Sequence, residues 1–249
     1  MDNRLEGKVA FVTGASRGLG RCIAGALVRA GARVGLVARP SPALDETVAA
    51  LGAAVTPLPC DLTRVAEVNA AVQTLVQRFG RLDFLINNAA IGLPKLLEDN
   101  TEEEILRQVG TNLLGPIWCT RAAIPHLRSS RGTVVFVSSE AAHHPFPRIH
   151  LYNATKAAVE ALARGMKWDY KADGIRIVTL RSGSMSGSSF SQGWEPKEGE
   201  AFYQQMVATG HLNYTGKAID PNITAEVIVN ALCVPPEAVL DLIEVRSNC

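Results

Sequence analysis

"KVAFVTGASRGLGRCIAGALVRAG", residues 8–31, decides the fold. It begins as an apolar, β-branched run, breaks at Gly14, Gly18 and Gly20, and continues in a helix-period stretch closed by Gly31. The glycines permit a tight turn and let the backbone approach a pyrophosphate, whose charge then sits at a helix N-terminus. Strand, glycine turn and helix in this order predict the opening βαβ unit of a dinucleotide-binding fold. Its phosphate-facing loop is expected to include Gly14, Ser16, Arg17, Gly18, Leu19 and Gly20.

The same rhythm continues along the chain. Apolar runs at 33–39, 54–61, 82–89, 132–139 and 175–183 read as further strands, with 238–246 as a seventh. Most are apolar on both faces, as parallel strands covered by helices should be. Strands alternating with helical stretches predict an α/β fold, a Rossmann-type doubly wound sheet of about seven parallel strands flanked by helices. No repeat or linker divides the chain, so residues 1–249 are expected to form a single domain. The rhythm fails at 182–215, which holds six serines in its first ten residues and then several aromatics. A stretch that long is expected to be a functional lid, at about 184–215, or disordered.

Composition narrows the function. Hydrophobic residues make up 47% and charged residues 20%, enough for a sizeable core, and the net charge is +1. That balance argues against nucleic acid or an anionic membrane as a partner. No signal-like run precedes Gly14 and no segment approaches the ~18 apolar residues of a membrane span, so a cytoplasmic protein is expected. The five cysteines (22, 60, 119, 233 and 249) are scattered without a C-x-x-C, which suggests reduced thiols and no zinc site. The sequons at Asn153, Asn213 and Asn222 are expected to be inert for the same reason of compartment. His143 and His144 diverge in direction and lack a matching carboxylate pattern, so no metal is expected.

"LYNATK" places Tyr152 and Lys156 four apart, about one helical turn, on one face. Alone the pair is commonplace. Together with the other motifs it resembles the short-chain dehydrogenase/reductase family, and the likeness runs from end to end. Thr13-Gly14-x-x-x-Gly18-x-Gly20 matches that family's cofactor loop. "CDLT" supplies Asp61, at the adenine-contacting position, followed by Leu62. "NNAA" (87–90), with Asn88, Ala89 and Ala90, departs at Ala90 from the usual Asn-Asn-Ala-Gly. "TNLLG" gives Asn112, and "VSS" then "LYNATK" give the serine, tyrosine and lysine.

The resemblance implies a catalytic set of Asn112, Ser139, Tyr152 and Lys156. Reducing a carbonyl needs a hydride, which a nicotinamide supplies, and a proton from an acid beside the oxygen. A free tyrosine has a pKa near ~10. A lysine ammonium one turn away favours the phenolate and should lower that value. Lys156 is also expected to hydrogen-bond the nicotinamide ribose. The family's spacing picks Ser139 over Ser138 to orient the substrate oxygen. Asn112 would hold a water linking Lys156 to solvent, or bond backbone, or both.

The second strand ends in Ala38 and Arg39, where an NAD-preferring member typically has an acidic residue. Arg39 and Arg17 suit a 2′-phosphate, so NADP(H) is the expected cofactor; the alternative is that both are solvated surface groups. After the sixth strand the usual Pro-Gly and following Thr are replaced. Ser182 stands for the proline, Gly183 is kept, Met185 follows, and Gly187 falls where the threonine would be. Ser186 or Ser188 could take over the lost hydrogen bond. Phe190, Trp194, Phe202, Tyr203, Met206, Leu212 and Tyr214 either line the substrate site or pack the lid.

The expected function is an NADP(H)-dependent carbonyl reductase or secondary-alcohol dehydrogenase acting on a bulky hydrophobic, steroid-like small molecule, in a homodimer or homotetramer. A 3-oxoacyl-carrier-protein reductase and a non-catalytic NADPH-binding sensor are the alternatives.

Overall fold

The computed structural model describes residues 3–248. Cys249, expected to be a reduced thiol, lies outside the described residues. Strand β1 (Val9–Thr13) leads through the glycine turn into helix α1 (Gly18–Arg29). Then follow β2 (Arg33–Ala38), α2 (Pro42–Leu51), β3 (Val55–Pro59), α3 (Val65–Phe79) and β4 (Phe84–Asn87). The second half holds α4 (Glu102–Val109), α5 (Gly115–Ser130), β5 (Thr133–Ser139), α6 (His150–Tyr170) and β6 (Arg176–Ser182). It ends in α7 (Pro196–Ala208), α8 (His211–Thr215), α9 (Pro221–Leu232) and β7 (Leu242–Val245).

The seven strands form one sheet in the order β3-β2-β1-β4-β5-β6-β7, and every pairing is parallel. Parallel neighbours need a crossover each, and the intervening helices supply it on both faces. The two faces can be read off β1. Ala10 and Val12 pack into the core shared with α1 and α9, whereas Val9 and Phe11 pack into the core shared with α3, α5 and α6. That is why the strands are apolar at successive positions. The sheet is the doubly wound one expected, and its order reverses between β1 and β4, where such folds bind their ligands.

Two local features steer the site. Residues Gly110–Leu114 form a π turn between α4 and α5, in which the Gly115 N–H bonds back to the Gly110 carbonyl. Such wide turns frequently mark functional positions. Helix α4 is fixed by a capping box: Thr101 Oγ1 accepts from the Glu104 N–H, and Glu104 accepts from the Thr101 N–H. Thr101→Ala is expected to destabilise the protein by about 1 kcal/mol, read as a lower urea midpoint at unchanged slope.

The stretch at 182–215 differs from a structureless loop. It carries α7 and α8, and Met185 bridges Ile219 in parallel. Pro at the first turn of α7 pre-sets the helical φ, while Met206 is the one buried residue of that helix. A helix with so little apolar stripe leaves a weak periodic signal in the sequence.

Candidate active site

The C-terminal ends of the central strands frame a cleft of about 1360 Å³. Drug-sized ligands fill roughly 300–1,000 Å³, so the cleft has room for two molecules side by side. Its floor begins at the glycine turn. Gly14 has φ +67°, and a Cβ there would stand 2.9 Å from the Ala89 Cα. A Cβ on Gly20 would stand 2.1 Å from the Gly14 carbonyl oxygen. The turn therefore closes only with glycine at both positions. Asn88 pins it to β4: its side chain donates to the Thr13 carbonyl at 2.8 Å, and its N–H donates to Thr13 Oγ1 at 2.9 Å.

The cleft suits a dinucleotide. No side chain caps the N-terminus of α1, in contrast to Ser41 on α2 and Thr101 on α4. Its first N–H groups are thus left to an anion at the positive end of the helix dipole. Ser16, Arg17, Leu19, Arg39, Asp61, Leu62, Asn88, Ala89, Ala90, Ser182, Gly183 and Met185 all line the cleft with Gly14 and Gly20. Gly18 does not reach the cleft surface, because Ser189 lies over it; a Cβ there would stand 2.8 Å from Ser189 Oγ. Such a cofactor would supply the hydride; the residues around it set its place.

Two of these residues are already engaged. Arg17 donates to Gln192 Oε1, tying the glycine turn to the segment after β6. Asp61 accepts from the Thr63 N–H and hydroxyl at 2.9 and 2.8 Å. Burial pushes its carboxyl up, but those bonds and the charges of Arg39 and Arg64 outweigh it and hold the group below its ordinary value. Arg39 is exposed and makes no hydrogen bond to other described residues.

The tyrosine, lysine and serine come together at the far end of the cleft. Ser139 ends β5, and α6 presents Tyr152 and Lys156 from successive turns. Ser139 Oγ accepts from the Ala141 N–H at 3.2 Å, and Ser139 and Tyr152 both line the cleft. Alternation along β5 sends Ser138 the other way, where it donates to Glu160 Oε1 at 2.8 Å. Glu160 in turn pairs with Arg181 of β6 at 2.8 Å. This buried network fixes α6, and so Tyr152, against the sheet.

The electrostatics differ from expectation in one respect. The Tyr152 phenol is pushed up to about 12, first by burial and then by the charge of Glu140, against the opposing effect of the Ser139 hydroxyl. Lys156 does not bring it down. Its Nζ lies 5.6 Å from the centre of the Tyr152 ring and donates to the Val137 carbonyl at 2.6 Å. Lys156 is 3% exposed, and burial draws its own value down to about 8, against the opposing charge of Glu160. Desolvation therefore dominates both groups.

Asn112 sits in the π turn, outside the cleft lining. Its Oδ1 accepts from the Ile91 N–H at 2.8 Å, and its Nδ2 donates to the Ile91 carbonyl at 2.7 Å and to Thr155 Oγ1 at 3.1 Å. Both amide hydrogens are used in joining the π turn to the segment after β4 and to α6. The side chain is a backbone strut.

Aromatic side chains from the segment after β6 pack over Tyr152. The Phe190 and Tyr152 rings lie 4.7 Å apart, and Trp194 Nε1 donates to the Gly92 carbonyl at 2.7 Å. Phe190, Trp194, Phe202, Tyr203, Met206 and Leu212 line the cleft. Tyr214 does not; it stacks on His144 at 3.9 Å under the Arg246 guanidinium and so packs α8 onto the body. Of the two serines weighed for the missing threonine, Ser188 reaches the cleft and Ser186 instead bonds the Ile219 carbonyl. Ser182 Oγ turns back to the Ser138 carbonyl at 3.3 Å. Among the described residues no three His, Cys, Asp or Glu side chains gather as metal ligands, and no helix is long and apolar enough to cross a membrane. The sequence reading missed Glu140, a buried carboxyl in the cleft wall. A charge directly after the strand that ends in Ser138 and Ser139 was its one available signal.

A family model described as short chain dehydrogenase matches residues 8–199. The chain belongs to the short-chain dehydrogenase family. An 11-beta-hydroxysteroid dehydrogenase A of Arachis hypogaea is 37% identical over 72% of this chain and 53% of its own length. An L-fucose dehydrogenase of Bos taurus is 36% identical over 74% of this chain and 68% of its own. The chain spans about half the length of the first of these relatives. Among solved structures, a 3-ketoacyl-(acyl-carrier-protein) reductase of Brucella melitensis complexed with NADH superposes with TM-score 0.83 at 29% identity, covering 97% of each chain. An alcohol dehydrogenase of Thermococcus sibiricus complexed with 5-hydroxy-NADP gives TM-score 0.81 at 28% identity, again covering 97% of each. As short-chain dehydrogenase structures those neighbours hold nicotinamide cofactors of both kinds.

Proposed function

We propose that this protein is an NADP(H)-dependent oxidoreductase that interconverts a bulky hydrophobic ketone and its secondary alcohol. One observation carries the reading: Ser139, Tyr152 and Lys156 come together in the wall of a dinucleotide-sized cleft, with Lys156 Nζ 5.6 Å from the centre of the Tyr152 ring. In this role Tyr152 gives its proton to the substrate oxygen, Ser139 orients that oxygen, and Lys156 restores the proton and holds the cofactor ribose. Asn112 acts by positioning the π turn against Ile91 and Thr155. Residues 184–215 form a lid on a single domain. Aromatic and aliphatic lining at Phe190, Trp194, Phe202, Met206 and Leu212 favours a large apolar body, such as a steroid-like ring system.

Arg39 at the end of β2 favours the 2′-phosphate, and the cofactor preference is NADP(H). A cytoplasmic protein in a homodimer or homotetramer is the companion expectation. Leu106 on α4 and Trp168 on α6, 62% and 81% exposed, are apolar groups that a second copy would cover. Reduction of a 3-oxoacyl-carrier-protein is the second reading, favoured by the end-to-end likeness to the Brucella melitensis reductase.

The test is NADPH oxidation, followed by loss of nicotinamide absorbance, against ketones from small aliphatic to steroidal and against an acetoacetyl thioester. Turnover that rises with ring size supports the proposal. Preference for the thioester moves the assignment to the second reading. Tight NADPH binding without turnover on any of them points to a sensor.

A further inference from the structure

Near its start α6 carries a hydroxyl that does not face the cleft. Thr155 stands between Tyr152 and Lys156 in the chain, is buried, and stays outside the cleft wall. It accepts from Asn112 Nδ2 at 3.1 Å and donates to the Tyr152 carbonyl, one turn back, at 2.9 Å. Asn112 is held in turn by the segment after β4: its Oδ1 accepts from the Ile91 N–H at 2.8 Å, and its Nδ2 donates to the Ile91 carbonyl at 2.7 Å. One chain of hydrogen bonds thus runs from Ile91 through Asn112 and Thr155 to the backbone of Tyr152.

The two ends of that chain are two walls of the reacting site. Ala90, Ile91 and Gly92 line the cleft on the side of β4, and Tyr152 and Lys156 line it on the side of α6. The walls meet: a Cβ on Gly92 would stand 3.4 Å from Tyr152 Cδ2. The threonine is not there for the helix. It is a poor helix former, and a hydroxyl that bonds back to the preceding turn slightly destabilises and bends the helix. What offsets that local cost is the junction it makes. A hydroxyl accepts and donates at once, so it joins the π turn to the acid where an alkyl group would join nothing.

We propose that Thr155 is a positioning residue: its hydroxyl sets the backbone of Tyr152 against residues 90–92 and so fixes the acid relative to the opposite wall of the reacting site. The inference rests on the oxidoreductase reading, in which Tyr152 gives up the proton. It accounts for how the buried Asn112 acts on the reaction without touching the substrate. A displacement of the acid by about 1 Å is enough to cost on the order of 10²-fold in rate. Thr155 and Asn112 then work as one unit, because loss of either breaks the same chain.

The experiment measures steady-state ketone reduction by the wild type, Thr155→Val, Thr155→Ser, Asn112→Ala and the double variant Asn112→Ala with Thr155→Val. Amide hydrogen exchange over residues 88–93 is followed in each protein without cofactor. Thr155→Val keeps the shape and removes the hydroxyl. It is expected to lower kcat by roughly 10- to 100-fold at unchanged KM, and to speed exchange of the Ile91 amide. Thr155→Ser keeps the hydroxyl and is expected to stay within about threefold of the wild type in both readouts. In the double variant kcat falls no further than in Asn112→Ala, as members of one chain require. Should Thr155→Val fail to fold, read as loss of NADPH binding, Thr155→Ala against Thr155→Ser makes the same comparison. Wild-type kcat in Thr155→Val, an equal loss in Thr155→Ser, or losses that multiply in the double variant overturn the inference and leave the reductase reading standing. A wild type that turns over no ketone overturns both.

Discussion

Tyr152→Phe is expected to lower kcat for ketone reduction by roughly 10²- to 10⁴-fold, the range that a positioned general acid contributes. NADPH affinity should be essentially unchanged, because the ring and its packing against Phe190 remain. The structure adds a direction in pH. With the phenol pushed up to about 12, the protonated form that donates to a carbonyl is fully present across the neutral range. The phenolate needed to take a proton from an alcohol is scarce there and grows as pH rises. Reduction should therefore show a flat profile through neutrality, while alcohol oxidation should climb steadily into the alkaline range. Both features should vanish in Tyr152→Phe. Rates in both directions that are unchanged by the substitution would mean that another group moves the proton. An oxidation profile already flat at neutral pH would mean that the bound cofactor's charge, with Lys156, overrides the burial.

Why the phenol stands so high also marks the limit of what the sequence could say. The spacing of Tyr152 and Lys156 was legible because α-helical geometry alone puts residues four apart on one face. The choice of Ser139 over Ser138 came from the family's spacing, and strand alternation gives it a physical basis: Ser138 is turned to Glu160. The glycine turn was legible because its close contacts exclude any side chain at Gly14 and Gly20. What could not be read depends on residues far apart in the chain. Burial of Tyr152 is set by Phe190, which arrives from beyond β6 and rests on Gly92. Lys156 is drawn to the Val137 carbonyl, an acceptor that no local pattern reveals.

The stretch at 182–215 shows the same division. Its aromatics were visible, but their two duties were not separable in sequence. Phe190 and Trp194 face the cleft, whereas Tyr214 stacks on His144. Helices α7 and α8 escaped notice because few of their residues are buried and so leave little apolar periodicity. Glu140 was missed for a related reason. A glutamate after a strand ordinarily marks the surface, and its burial here depends on Thr215 and Gly183, both distant in the chain.

Arg39→Asp is expected to shift the ratio of kcat/KM for NADPH over NADH by roughly 10²- to 10⁴-fold toward NADH. The figure joins two effects that move the ratio in the same direction, each worth about 1.5–3 kcal/mol for a hydrogen bond to a charged group. The first is loss of a guanidinium that a 2′-phosphate would engage with a matched fork of donors. The second is gain of a carboxylate at the end of β2, where the ribose hydroxyls of NAD find their acceptor. Arg39 is placed for this more cleanly than Arg17. It is exposed at the strand end without a hydrogen bond to other described residues, while Arg17 is held by Gln192. Arg17→Ala should accordingly shift the ratio less and should also loosen the segment that carries Phe190. Because Arg39 is exposed, its contribution should weaken as ionic strength rises. A wild type that already prefers NADH, or a ratio that Arg39→Asp leaves in place, would return this arginine to the solvated surface. In that case the cofactor cleft would discriminate through the backbone at Asp61 and Leu62, without a charge at the end of β2.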